Sequence, residues 1–330
     1  MEQSTLKKMS EVLGISISTV SRALKDHPDI SERTKQRVKE LAEALEYEPN
    51  TYAIQLRTRQ SNVLGILVPY IDNFFYDSFI AAVEEEARIH GYSVMIMQSR
   101  DSVLTETSNI QLFKKSMISG LFISVSVETE DLSMLQKIED KKVPVIYFDR
   151  VVEGDEYHKV CLEDARAASI AAETLIAAGK KNILALFGHP HLSISQERCQ
   201  SFVETFMQKA PDANLIIKYP ETTAESEKVV MKAFAEENKP DAVFCMGDLI
   251  LMGVMHAAHA LNLNIPDDVG IITISNGLIP TLYNPKITYV ETSGYKLGKL
   301  AFDQMLMRLN GGENPGRVNI ESVLVKGGSL

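Results

Sequence analysis

Apolar positions change period along this chain. Over the first sixty residues they recur at helical spacing in short, punctuated runs, with no strand-like run. Leu6, Met9, Val12 and Leu13 predict one apolar face on a first helix, which Gly14 ends. Ser16 is placed to cap a second short helix with Val20, Ala23 and Leu24 inward. His27-Pro28-Asp29 reads as a loop, and Ser31 then caps a third helix with Val38, Leu41, Ala42 and Leu45 inward. Three short helices, the first two joined by a glycine-containing turn, predict a helix-turn-helix domain.

From about Ser61 the texture alternates. Apolar, β-branched runs at Val63–Ile71, Tyr92–Met97, Gly120–Val127, Val143–Phe148, Asn182–Phe187, Ala242–Cys245 and Gly270–Ile274 predict strands. Between them, Ser78–His90, Asp164–Ala178, Gln196–Lys209, Ala224–Asn238 and Leu249–Leu261 predict helices. Strands apolar on both faces and alternating with helices imply parallel sheets covered on both sides, and the stretch is long enough for two such lobes. The expected fold is an all-α helix-turn-helix domain over residues 1–47, a connector over 48–60, and a two-lobed α/β domain over 61–330. In the connector, Pro49 breaks the third helix, and Asn50 can cap a one-to-two-turn helix carrying Ala53 and Leu56 on one side. A helix that short is marginal in water and needs a partner to order it.

Charge sharpens the division. Residues 1–60 hold 10 Lys/Arg against 9 Asp/Glu, a balance of +1; the remainder holds 24 against 35, or −11, and the two sum to the net −10. The asymmetry has the sign a nucleic-acid-binding end needs but is small, so the motif must carry that reading. The three cysteines, Cys161, Cys199 and Cys245, are far apart and lack CxxC spacing, which fits buried thiols in a reducing compartment. The N-terminus shows no signal-peptide h-region and no apolar run approaches ~18 residues, so a soluble cytoplasmic protein is expected.

The residues Thr5-Leu6-Lys7-Lys8-Met9-Ser10-Glu11-Val12-Leu13-Gly14-Ile15-Ser16-Ile17-Ser18-Thr19-Val20-Ser21-Arg22-Ala23-Leu24 closely resemble the opening of the LacI/GalR repressor family. Tyr47-x-Pro49-Asn50-x-x-Ala53-x-x-Leu56 is similar to that family's hinge. On the second helix, Ile17, Ser18 and Arg22 point away from Val20 and Leu24 and are free to reach base edges; Arg22 can donate two hydrogen bonds to guanine. Thr5, Ser16, Thr19, Ser21, Ser31 and Thr34 carry small hydroxyls near helix N-termini, where they can contact phosphates or simply cap. The resemblance implies that Leu56 enters the minor groove as a wedge that bends the duplex; the alternative is packing against the large domain.

The resemblance runs over essentially the whole chain. Asn73-Phe74-Phe75-Tyr76, the strand Val143–Phe148 followed by Asp149-Arg150, the segment Gln196–Phe202 with Arg198, and Asp241–Gly253 are similar to family segments that surround an effector cleft. It implies Asp149 and Arg198 as the leading effector contacts, Asn73, Phe75 and Tyr76 as part of the wall, and Ser193, Asp248, Ser275 and Glu291 as further contacts. The alternative for Asp149 and Arg198 is a structural ion pair or helix cap. Ile274-Ser275-Asn276 stands where many members have Phe-Asp-Asp, and Met246-Gly247 replaces the residue and Asn expected before Asp248. Together with Arg100, Arg150 and Arg198, these departures open the way to a less hydroxyl-rich or an anionic ligand.

The function expected is a repressor acting as a homodimer on near-palindromic operator DNA, controlled by a small carbohydrate-like effector between two lobes. The first lobe is expected over about 61–160 plus 292–330 and the second over about 161–291. A plain solute-binding protein shares such lobes but needs an export signal and has no use for residues 5–56. An α/β hydrolase is a third reading, but GxGxxG after a strand, P-loop, GxSxG and HExxH motifs are all absent. No catalytic residue, cofactor or metal site is expected; His189-Pro190-His191 lacks the further ligands zinc usually takes.

Overall fold

In the computed structural model the chain divides into two compact units at Gln60/Ser61, and residues 6–45, 47 and 61–330 are described. Thr5, Asn50, Ala53 and Leu56, with the expected connector helix and its wedge, lie outside the described residues.

The first unit holds α1 (Leu6–Leu13), α2 (Ile17–Leu24) and α3 (Glu32–Ala44). Gly14 closes α1 at φ +66°, a left-handed conformation that glycine adopts without a steric penalty. Ser16 and Ser31 cap α2 and α3 by accepting from the backbone N–H of Thr19 and Thr34. Met9, Val20, Ala23 and Val38 form the buried centre, ringed by Leu6, Leu13, Leu24, Leu41, Ala42 and Leu45. Val12, expected on the apolar face, is 62% exposed. At 100° per residue Leu6 and Leu13 fall to one side of Met9, and Val12 falls to the other, off the stripe.

The second unit builds two six-stranded sheets. The first lobe runs β1 (Val63–Val68), α4 (Phe74–Ile89), β2 (Ser93–Gln98), α5 (Val103–Lys115), β3 (Gly120–Ile123), α6 (Ser133–Glu139), β4 (Val145–Phe148) and β5 (Lys159–Leu162). The second lobe follows with α7 (Asp164–Ala177), β6 (Asn182–Leu186), α8 (Ser193–Lys209), β7 (Asn214–Lys218), α9 (Thr223–Ala235), β8 (Ala242–Cys245), α10 (Asp248–Ala260), β9 (Gly270–Ser275) and β10 (Thr288–Glu291). The chain then returns to the first lobe as α11 (Gly294–Leu309) and β11 (Arg317–Ile320), and ends in the second sheet as β12 (Val323–Val325). Strand orders are β11-β5-β4-β3-β1-β2 and β12-β10-β9-β8-β6-β7; every pairing is parallel except β10 with β12.

The expected lobe boundaries need two corrections. Cys161 and Leu162 complete the first sheet as part of β5, and residues 323–330 belong with the second lobe. The latter are held by β12 and by the buried Ser329, whose hydroxyl donates to Ile271 O and accepts from Thr288 N. Every residue of β3, β4, β5, β8 and β9 is buried, as strands covered on both faces must be. In the first lobe Phe79 of α4 lies flat on Phe148 of β4 with centroids 3.7 Å apart. α11 presses Leu297, Ala301, Phe302 and Met305 into the same core. Gly294 and Gly298 allow this approach, because a Cβ at either would stand 2.3 Å from Phe75 O or 2.6 Å from Phe79 O.

Candidate functional site

The two sheets end in a shared cleft, a cavity of about 490 Å³ lined from both lobes. Ligand sites of open parallel sheets lie at the carboxyl ends of strands, and here β4, β8 and β9 each deliver a polar group just past their last residues. From β4 comes Asp149, buried and held at φ +57°. Its Oδ2 accepts from the Tyr76 hydroxyl at 2.6 Å, and that hydroxyl lies 2.9 Å from Ser124 Oγ. Burial raises the Asp149 carboxyl above its ordinary range, against the Tyr76 hydrogen bond and the charges of Arg150 and Arg198. Burial likewise pushes the Tyr76 phenol well up, so it stays a donor. Beside them Arg150 Nη1 donates to both oxygens of Asp101, at 2.6 and 2.8 Å.

From the second lobe, Arg198 on α8 is buried and fully engaged along one edge. Its Nε donates to Asp164 Oδ1 at 2.8 Å, Nη2 lies 2.6 Å from the same oxygen, and Nη1 donates to Met246 O at 2.6 Å. Asp248, in the first turn of α10, accepts from Ser275 Oγ at 2.5 Å and from Asn276 N at 3.4 Å. Burial raises the Asp248 carboxyl, opposed by the Ser275 hydrogen bond. Asn276 does something else. Its Nδ2 donates to Phe74 O at 3.2 Å and to Ser78 Oγ at 3.1 Å, and its Oδ1 accepts from Gly294 N at 3.0 Å, so one second-lobe side chain is tied to two first-lobe helices.

The first unit presents a different surface. On α2, Ile17 is 47% exposed, Ser18 and Arg22 are exposed, and the opposite face (Val20, Ala23) is buried. The Ser16 hydroxyl lies 2.7 Å from Ser18 Oγ and 2.8 Å from Thr19 Oγ1, a hydroxyl cluster around the helix N-terminus. Arg22 has no hydrogen-bond or ion-pair partner among the described residues.

Residues 5–50 match the family described as bacterial regulatory proteins, lacI family, and residues 172–330 match a periplasmic binding protein-like domain. A lacI-family DNA-binding segment thus stands ahead of a periplasmic binding protein-like domain in this chain. Among LacI-family relatives, it is 26% identical over 302 residues to the ribose operon repressor of Bacillus subtilis, spanning 92% of this chain and 90% of that one. It is also 26% identical over 321 residues to the transcriptional repressor PurR of Vibrio campbellii, spanning 95% and 94%. The fold matches the Lac repressor dimer bound to operator and the anti-inducer ONPF with a TM-score of 0.88, at 21% identity and 99% coverage of both chains.

Of the nine effector-site residues expected, seven line the cleft: Asn73, Phe75, Tyr76, Asp149, Arg198, Asp248 and Ser275. Ser193 and Glu291 do not. Ser193 opens α8 with its side chain off the cleft, while its neighbours Leu192 and Ile194 line it. Glu291 is paired with Lys296 at 2.7 Å, and the next residue, Thr292, faces in. Asp149 and Arg198 do not pair with each other; Arg198's ion pair is with Asp164, which sequence reading missed. Asp101 was missed too, and Arg100 is exposed and off the cleft. His189 lines the cleft 3.9 Å from Glu221, and no group of three or more potential metal ligands forms among the described residues. No helix among the described residues is long and apolar enough to cross a membrane.

Proposed function

We propose that this chain is a cytoplasmic transcriptional repressor that acts as a homodimer on near-palindromic operator DNA, with affinity set by a sugar or sugar derivative bound between the lobes. The observation that carries it is the pairing, in one chain, of an exposed α2 face with a polar-floored cleft of about 490 Å³. The names of its relatives, a ribose operon repressor and a PurR repressor, support the same reading. It is proposed to catalyse no reaction. Ile17, Ser18 and Arg22 read base edges, while Ser16, Thr19, Ser21, Ser31 and Thr34 add phosphate contacts to their capping role. In the cleft, Asp149 accepts from ligand hydroxyls, Phe75 supplies an apolar wall, and the free N–H groups of Arg198 donate. Ligand binding shifts the lobes between more open and more closed arrangements, and residues 48–60 carry that difference to the DNA-reading unit.

An unbiased oligonucleotide selection with the full-length protein, repeated with sugars and their derivatives, tests this. A palindromic sequence should emerge, and Arg22→Ala should lose about 5–150-fold on it, the ~1–3 kcal/mol of one bidentate base contact, with little change on random DNA. Equal losses on both would remove Arg22 as a reader, and no enriched duplex would end the proposal.

A further inference from the structure

The cleft carries more negative charge than its arginines suggest. Four carboxylates line it (Asp101, Asp149, Glu221 and Asp248) against two guanidinium groups, Arg150 and Arg198. Both guanidinium charges already face a carboxylate or carbonyl: Arg150 Nη1 spans both oxygens of Asp101, with its Nε left unpartnered, and Arg198 is tied to the buried Asp164 and to Met246 O. A fifth carboxylate, Asp164, therefore neutralises the one arginine that faces the cleft from α8. What a ligand meets in excess is acceptor oxygen. Asp149 is more than nine-tenths buried, and only its Oδ2 is used, leaving Oδ1 without a partner among the described residues. Glu221 has only His189 near its carboxylate, at 3.9 Å.

We propose that this cleft selects an uncharged, hydroxyl-bearing ligand and rejects phosphorylated or carboxylated ones. The inference rests on the reading of the cleft as the effector site, and it closes the anionic alternative that the arginines opened at the sequence. An anionic group would need a cation whose charge is not already balanced, and each arginine here is ion-paired to a carboxylate before the ligand arrives. It would also face unpaired carboxylates in a site of low dielectric, where like-charge repulsion is screened weakly. A hydroxyl-rich ligand has the opposite fit, because each hydroxyl can donate to a waiting carboxylate oxygen.

The experiment reads the cleft's potential without needing its ligand or DNA, so its failure is distinct from failure of the repressor reading. In full-length protein carrying Cys199→Ser, a thiol is introduced by Ile194→Cys and, separately, by Leu192→Cys, both at cleft-lining positions; Cys161 and Cys245 are buried. Each is reacted with trimethylammonium and sulfonate methanethiosulfonates, which differ in charge and leave the same sulfinate. The cation-to-anion rate ratio is expected to be at least tenfold above that of free cysteine measured alongside, and to fall toward it in Asp248→Asn. Circular dichroism and a cooperative melt establish that each variant is folded before it is scored. A ratio at or below that of free cysteine at both positions overturns the proposal.

Discussion

At the scale of single residues, the cleft is built from conformations that most side chains avoid. Asp101 and Asp149 both sit at φ +57°, in the left-handed region where aspartate is one of the few tolerated non-glycine residues. Strained positions of this kind gather at functional sites, held by their surroundings. For Asp149 that hold is the 2.6 Å Tyr76 bond; for Asp101 it is Arg150 and the Val127 backbone N–H at 3.1 Å. Away from the cleft, His158 is buried with neither ring nitrogen hydrogen-bonded. Burial, reinforced by the charge of Arg308, lowers it from 6.5 to about 4. A base whose affinity for protons is weaker in the folded state favours unfolding once protonated. Its contribution is therefore whole above pH 6.5 and is lost as pH falls toward 4. His158→Leu should flatten the decline of melting temperature across that window, read by calorimetry at half-unit steps; an unchanged slope would acquit the histidine.

At the scale of elements, closure depends on a few ties between lobes. Asn276 joins the end of β9 to α4 and α11, and Arg317 of β11 grips Glu197 of α8 through two bonds of 2.8 and 2.9 Å. Asn276→Ala removes three hydrogen bonds spanning the cleft, each worth about 1 kcal/mol net. Small-angle scattering of the ligand-free protein should then show a larger radius of gyration, with a fall in melting temperature of several degrees; an identical radius would mean that the other ties suffice. The same elements show where the sequence was readable. Strands such as β8 and β9 announce themselves because burial on both faces leaves an unbroken apolar run. β5 opens on Lys159 and β12 is only three residues long, so neither offers such a run. α11 has the amphipathic spacing of a helix, and its residues were assigned to a lobe without being recognised as one. At the site, the register failed rather than the region. On a helix one position is 100° of rotation, which separates Ser193 from Leu192 and Ile194. On an extended chain it is the opposite face, which separates Glu291 from Thr292. Ion-pair partners distant in sequence, such as Asp164 for Arg198, left no local signal at all.

At the scale of the whole molecule, residues 61–330 carry −11 while residues 1–60 carry +1, which gives the net −10. Attraction to DNA is thus local to the reading end, and long-range steering will be modest. The chain passes between the lobes three times, after β5, after β10 and after β11, so neither sheet is a contiguous stretch of sequence. Deleting residues 321–330 removes β12 and the buried Ser329 with its two hydrogen bonds. A loss of roughly 3 kcal/mol or more is expected from those bonds and the ladder together, seen as an early melting transition in the truncated protein; a single melt at the original temperature would show that the last segment is dispensable.

The three crossings also bear on how the protein is made. The first sheet begins at Val63, yet its core is closed by Leu297, Ala301, Phe302 and Met305, more than two hundred residues later. A nascent chain on the ribosome must therefore hold an unfinished, largely apolar half-lobe while the entire second lobe is being synthesised. The lobe that emerges first is sealed only after its successor is nearly complete, and during that interval newly made copies are most exposed to aggregation and to capture by chaperones.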